Sequence, residues 1–397
     1  MRDTWWVLVD TVIRAREAAE RWLFGGRHAL VALGLCRILL GLSVVLTLVV
    51  NFSDRTLWVG NASVWAEPAR DAVDFPELWL VRNATDAVVT VVYLVTTLAA
   101  LALTAGWYTR AANVVTLVGF IAVVGQNPMV GSASDNAVRL ALLWLVLTSS
   151  GDRCSVDARQ RAARQEGAEV DHRGFDSDEV LPPWLGISLH NIGLLGLGVQ
   201  TVLLYVTAGL DKIAREAWRS GEALYYTTQL PEFRPFGGLS DLVSASPVFL
   251  AFLTYVVLLT QLFFAPLMLT RVSRIVAVTV AIGANVFFAV VFGAVPAALA
   301  IIAVTLVVFP DDLLEERVDW LSEVTEPLRG RIEAVWFRLS DPFMDAADTF
   351  RSRRSERRER RAEASAQKAE RKAAAKTAGR GARRAGADRE SETVDAD

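Results

Sequence analysis

Apolar residues in this chain come in long blocks, and the charged residues fall between the blocks or in the C-terminal stretch. An α-helix needs roughly 17–25 apolar residues to cross the hydrocarbon core of a bilayer. The blocks predict such helices over residues 29–50, 84–105, 111–127, 136–150, 188–210, 246–270, 272–291 and 294–309. The last two form one apolar run. It divides at Phe292-Gly293-Ala294-Val295-Pro296, because glycine and proline together make a tight turn. Ahead of the spans, residues 5–24 set Trp5, Trp6, Val9, Ile13 and Trp22 against Arg14, Arg16, Glu17 and Arg21. Tryptophan favours the headgroup level and arginine the water beside it, so this segment reads as a helix lying at the interface. The expected fold is an all-α integral membrane protein. It is a polytopic bundle of about eight transmembrane helices with an interfacial N-terminal helix and a charged C-terminal tail. The expected divisions are 1–28 for the interfacial helix, 29–310 for the transmembrane domain, 311–350 for an amphipathic helical segment and 351–397 for a solvated tail.

Composition agrees with a membrane class: 53% of the residues are hydrophobic, more than soluble domains carry. The placement of basic residues then gives an orientation. Arg14, Arg16, Arg21 and Arg27 precede the first span, Arg110 lies between the second and third, and Arg153, Arg159, Arg161 and Arg164 follow the fourth. Arg271 and Arg274 join the sixth and seventh, and the basic tail follows the eighth. With an even span count all these segments share one face. Arginine-rich loops stay cytoplasmic, so both termini are expected in the cytoplasm of a plasma-membrane protein. The basic tail suits an anionic cytoplasmic leaflet, and a protein substrate or partner would meet the outer face. No pattern for binding nucleic acid is present.

Ionisable residues within spans are expensive, so each needs a partner or a purpose. Here they are Arg37 within the first span, Asp86 opening the second, Asp135 and Arg139 opening the fourth, and Asp211 and Lys212 closing the fifth. Asp86, Asp135 and Arg139 are candidates for intramembrane ion pairs. Arg37 reads as a buried pair or a ligand contact. Cys36, Cys154 and the three histidines have no metal-ligand spacing, so no metal is expected.

One segment differs from the rest. From Gln200 to Tyr226 an apolar helix leads through Tyr205 and Gly209 to Asp211-Lys212, then to Trp218, Gly221, Glu222 and paired tyrosines. The pattern Gln-x4-Tyr-x3-Gly-x2-Lys-x5-Trp-x2-Gly-x3-Tyr resembles the horizontally transferred transmembrane (HTTM) domain family. That family includes the membrane part of vitamin K-dependent γ-carboxylase and bacterial homologues. Arg37-Ile38 with Gly41, Gly106-Trp107-Tyr108-Thr109-Arg110 and Ser155-Val156-Asp157 resemble further family motifs, so the likeness spans roughly 29–310. It implies that Lys212 is the base that deprotonates a reduced quinone, with Arg37, Tyr205, Asp211, Trp218, Glu222 and Asn285 about the cavity. Such a lysine must be partly uncharged to serve. Asn285 stands where many relatives carry a histidine, and the large extra-membrane domain of the carboxylase has no counterpart here. Three functions follow as expectations. The first is a quinone- or lipid-linked membrane enzyme, with a quinone as its cofactor. The second is a non-catalytic maturation, export or scaffold factor on the same fold. The third is a small-solute transporter, for which no inverted repeat speaks.

Overall fold

The computed structural model describes residues 2–59, 84–125, 131–167 and 182–318. These form one compact unit of helices, and no strand occurs among them. The segments expected at 319–350 and in the tail lie outside the described residues.

Every expected apolar block is helical. We number the helices α1 (Arg2–Phe24), α2 (Leu30–Val50), α3 (Asp86–Ala105), α4 (Thr109–Val124), α5 (Ala133–Leu147) and α6 (Val156–Gly167). After them come α7 (Pro183–Ala214), α8 (Gly237–Ser244), α9 (Pro247–Leu262), α10 (Arg271–Phe292), α11 (Val295–Leu306) and α12 (Asp311–Val318). The Gly293 turn falls where the glycine–proline signal placed it: Gly293 ends α10 at φ +70° and Pro296 opens α11.

The apolar helices run alternately between two ends of the bundle. At one end lie the start of α2, the end of α3, the α5–α6 turn, and the starts of α7 and α10. Contacts there fix the loops to one another: Arg27 pairs with Asp152 at 3.0 Å, Ala32 N–H donates to Asp311, and Arg271 pairs with Asp312. At the far end Asn51, Ser132 and Ala294 lie around one cavity. The segments around Arg27, Arg161 and Arg271 thus lie at this end, while Arg55, Arg215, Arg219 and Arg234 follow the opposite ends of α2 and α7.

The span count is met only in part. By length and composition four helices can cross a membrane: α2, α3, α7 and α10. The count rises to six if two bent pairs are each one span, α8 with α9 (90°) and α11 with α12 (118°). The 16 residues of α4 and 15 of α5 reach only about 24 and 22 Å at 1.5 Å per residue, short of a ~30 Å core. Helix α7 departs the other way. Its 32 residues exceed the expected 188–210, because Pro183 opens it early and no breaker interrupts it before Arg215.

The main core joins α2, α3, α4, α5, α7 and α11 around Leu33, Leu40, Leu103, Phe120, Leu142, Leu197 and Val304. Small residues let helix backbones approach. A Cβ on Gly41 would stand 3.0 Å from Ala100 O on α3, and one on Gly196 would run into the Trp144 ring on α5. Helix α1 is tied on by polar contacts. The Asn191 amide donates to the carbonyls of Trp22, Leu23 and Gly26 at 2.8–3.1 Å, taking up acceptors that the end of a helix leaves free. Beside it, buried His190 accepts from Ser149 N–H through Nδ1 and donates through Nε2 to His28 O, which fixes its neutral tautomer.

Candidate functional site

The residues singled out from the sequence fall into three separate places. The first is built on Arg37, which is fully buried. Among the described residues its guanidinium meets backbone carbonyls and no carboxylate. Nε donates to Ser150 O at 3.2 Å, Nη1 to Leu103 O and to Thr104 O (3.0 Å), and Nη2 to Cys154 O at 2.7 Å. These carbonyls belong to the end of α3 and the turn after α5, where helices run out of intrahelical donors. The other two short motifs converge here. Gly106 takes φ +73°, and a Cβ on it would lie 2.7 Å from Arg37 Nη1. Asp157 accepts from Tyr108 N–H, Thr109 N–H and the Thr109 hydroxyl at 2.7–3.0 Å, capping the start of α4. Arg37 is therefore a staple at the loop-gathered end of the bundle. The expected place for it beside Lys212 is corrected: α7 meets the Arg37 end through His190, and Lys212 follows about six helical turns later.

The second set, the intramembrane ion-pair candidates, stands at the starts of α3 and α5, and no such pairs form among the described residues. The Asp135 carboxylate accepts from Ser132 N–H at 2.8 Å while Asp135 N–H bonds the Ser132 hydroxyl, a capping box on α5. Arg139 donates to Asn136 Oδ1. Asp86 is exposed in the first turn of α3, where an acid suits the helix dipole. Each acid opens a helix, and helix-end electrostatics supplies its partner.

The third place is the Lys212 region. Gly209 sits against the end of α9, where a Cβ would come 2.6–2.9 Å from backbone atoms of Gln261 and Leu262. Further on, the Tyr255 hydroxyl donates to Arg219 O at 2.8 Å, and Gly221, at φ +82°, abuts Tyr255 and Ala251. The chain from Gly209 to Gly221 thus climbs beside α9 from its last turn to its second. Lys212, in the last turn of α7, lies opposite the body of that helix. The close contact at Gly209 lets α7 cross α9. Arg215 is extended there, at φ −98° and ψ 133°, and a short helix, Glu216–Arg219, follows.

Side chains sort out around this break. Asp211 pairs with Arg215 at 3.0 Å and leaves Lys212 without an ion pair among the described residues. Lys212 Nζ stands 5.1 Å from the centroid of the Trp218 ring. Arg219 folds back toward Ile213 O at 3.4 Å. Glu222 accepts from the Tyr226 hydroxyl at 3.1 Å, and that carboxylate pushes the phenol's pKa up. Trp218 itself packs against the Leu224, Leu250 and Phe292 cluster.

Two turns before Lys212, Tyr205 makes a buried polar junction. Its hydroxyl meets Thr305 Oγ1 at 2.7 Å and Asn285 Nδ2 at 3.5 Å, and its ring stacks on Phe264 with centroids 4.2 Å apart. Asn285 and Tyr205, singled out separately, are thus neighbours. Thr305 was not foreseen, since a lone threonine in the 294–309 run carries no signal of its own. Among the described residues no group of histidine, cysteine or acids could hold a metal ion.

Residues 178–312 match the family model of the HTTM domain. The match runs from α7 into α12, so it includes Tyr205, Lys212, Trp218 and Asn285 and leaves Arg37 and its motifs outside. No curated protein and no solved structure matches the chain.

Proposed function

Given an HTTM domain over residues 178–312, we propose that the chain is a multi-pass membrane enzyme acting on a quinone or another lipid-soluble substrate at Lys212. The observation that carries this reading is the place of Lys212. It stands where α7 breaks, opposite the body of α9, with its neighbouring carboxylate turned to Arg215. Interrupted helices bearing ionisable groups at membrane depth are where membrane proteins build sites. A quinol suits these residues: the Trp218 indole offers a flat apolar face and Lys212 an amine beside it. When bound, it would supply an acidic ring hydroxyl. Lys212 Nζ would hold the proton, and Trp218 would orient the ring.

A second reading has its own support. A lysine lying on an indole face is favoured as the ammonium, which suits a fixed cation in a non-catalytic maturation or scaffold factor. Lys212→Arg separates the two. Arginine keeps charge and reach but cannot release a proton near neutral pH. If Lys212 is a base, the variant folds and melts like wild type and fails to restore a deletion strain. Full complementation would sink the base. Quinone co-purifying with the wild-type chain supports the enzyme reading independently.

The proposed topology has eight crossings with both termini cytoplasmic, the short α4 and α5 being shielded by their neighbours. In a Cys154→Ser background, Glu232→Cys should react with an impermeant maleimide in intact cells and Ala162→Cys should not. Both positions are exposed. Labelling of both, or the reverse pattern, refutes the topology.

A further inference from the structure

At the end of the bundle remote from Arg37, the end of α2 and the starts of α5 and α11 border an open cavity of about 190 Å³. Among the described residues its polar lining is Ser43, Thr47, Asn51, Ser132, Ser134 and Asp135, with no lysine, arginine or histidine. The hydroxyl hydrogens of this lining are already committed. Ser43 donates to Pro296 O at 2.7 Å and Thr47 to Ser43 O at 2.9 Å. Ser132 donates to Asp135 Oδ2 at 2.8 Å, so in the 2.7 Å contact of Ser134 with Ser132 the donor is Ser134. One amide hydrogen of Asn51 goes to Thr47 O at 2.8 Å. What remains for a ligand is mainly acceptors: hydroxyl lone pairs, the Asn51 carbonyl and Asp135 Oδ1.

An acceptor-rich wall with one carboxylate and no cation repels anions and selects a donor bearing positive charge. The volume is somewhat above the roughly 150 Å³ of a cavity that takes up benzene, too large for a bare ion and right for a few carbons. We propose that this cavity binds a small organic ammonium compound, its N–H groups donating to Asp135 and the neighbouring hydroxyl oxygens. The apolar remainder, Val138 and Ala297 among it, takes the carbon chain. The site is separate from Lys212 and uses none of its residues.

The test is titration calorimetry of the full chain in detergent at pH 7, with n-butylammonium as the probe and butan-1-ol and sodium chloride as controls. Saturable binding of n-butylammonium is expected, with neither control binding comparably. Asp135→Asn, which keeps an oxygen to accept from Ser132 N–H, should weaken binding at least about tenfold, as loss of a charge-assisted hydrogen bond requires. Ala297→Phe fills the cavity without touching the α5 cap and should abolish binding, which covers the case of a misfolded Asp135→Asn. The proposal is overturned by no binding, by butan-1-ol binding as well as n-butylammonium, by sodium displacing the probe, or by unchanged affinity in Ala297→Phe.

Discussion

Arg37→Met is expected to leave little folded protein. The side chain is fully buried, and its guanidinium serves carbonyls of Leu103, Thr104, Ser150 and Cys154. Methionine keeps most of the volume and none of the donors. Leu103 O keeps Gly106 N–H, and each of the other carbonyls left unsatisfied costs about 1–3 kcal/mol, so the total is about 3 kcal/mol or more. Three segments far apart in sequence would lose their common anchor together. Arg37→Lys keeps the charge but not the planar fork, and one ammonium cannot reach both the end of α3 and the turn after α5. It should fall between wild type and Arg37→Met. Expression level and melting temperature in detergent measure both. A methionine variant within about 1 kcal/mol of wild type would show that the carbonyls find other donors.

Gly209→Ala is expected to lower the melting temperature by several degrees and to disable the Lys212 region. The added Cβ would stand 2.6 Å from Leu262 N, 2.8 Å from its Cα and 2.9 Å from Gln261 C. All three are backbone atoms, so no side chain can swing away; one helix must move. Overpacking of this kind costs about 1–3 kcal/mol. The residue lies less than one turn before Lys212, so the displacement also shifts the break at Arg215 against Trp218. Gly198→Ala, on the same helix, is the control. Its nearest neighbour is 4.0 Å away, and alanine favours helix there, so it should be neutral or slightly stabilising. Equal melting temperatures for the two variants would mean that α7 and α9 do not meet as described.

Much of this architecture could be read along the chain. Apolar blocks long enough to span predict helices wherever they occur, since every backbone polar group in hydrocarbon must be satisfied within its own segment. That rule alone placed α2, α3, α7 and α10, and the glycine–proline signal placed the turn at Gly293. The alternation of blocks also placed the segments of Arg27, Arg161 and Arg271 at one end of the bundle. The family likeness rested on Tyr205, Gly209, Lys212 and Trp218 in fixed spacing, and the match over residues 178–312 covers those positions.

Other assignments had to wait for tertiary structure, and the reason is common to them. A charge in an apolar run announces that it needs a partner, not which partner. Arg37 could have met an acid or a ligand; it meets the loose carbonyl ends of two helices distant in sequence. Asp135 could have paired with Arg139, but the N–H and hydroxyl of Ser132 at the helix cap were nearer. What Lys212 stands against depended on where α7 crosses α9, where a glycine at 209 lets two backbones touch. Sequence thus determined which segments are helical, which loops share an end and which residue types stand apart. Packing decided what each polar group faces, because helix-end carbonyls, close backbone contacts and shared cavities exist only once helices distant in the chain are side by side.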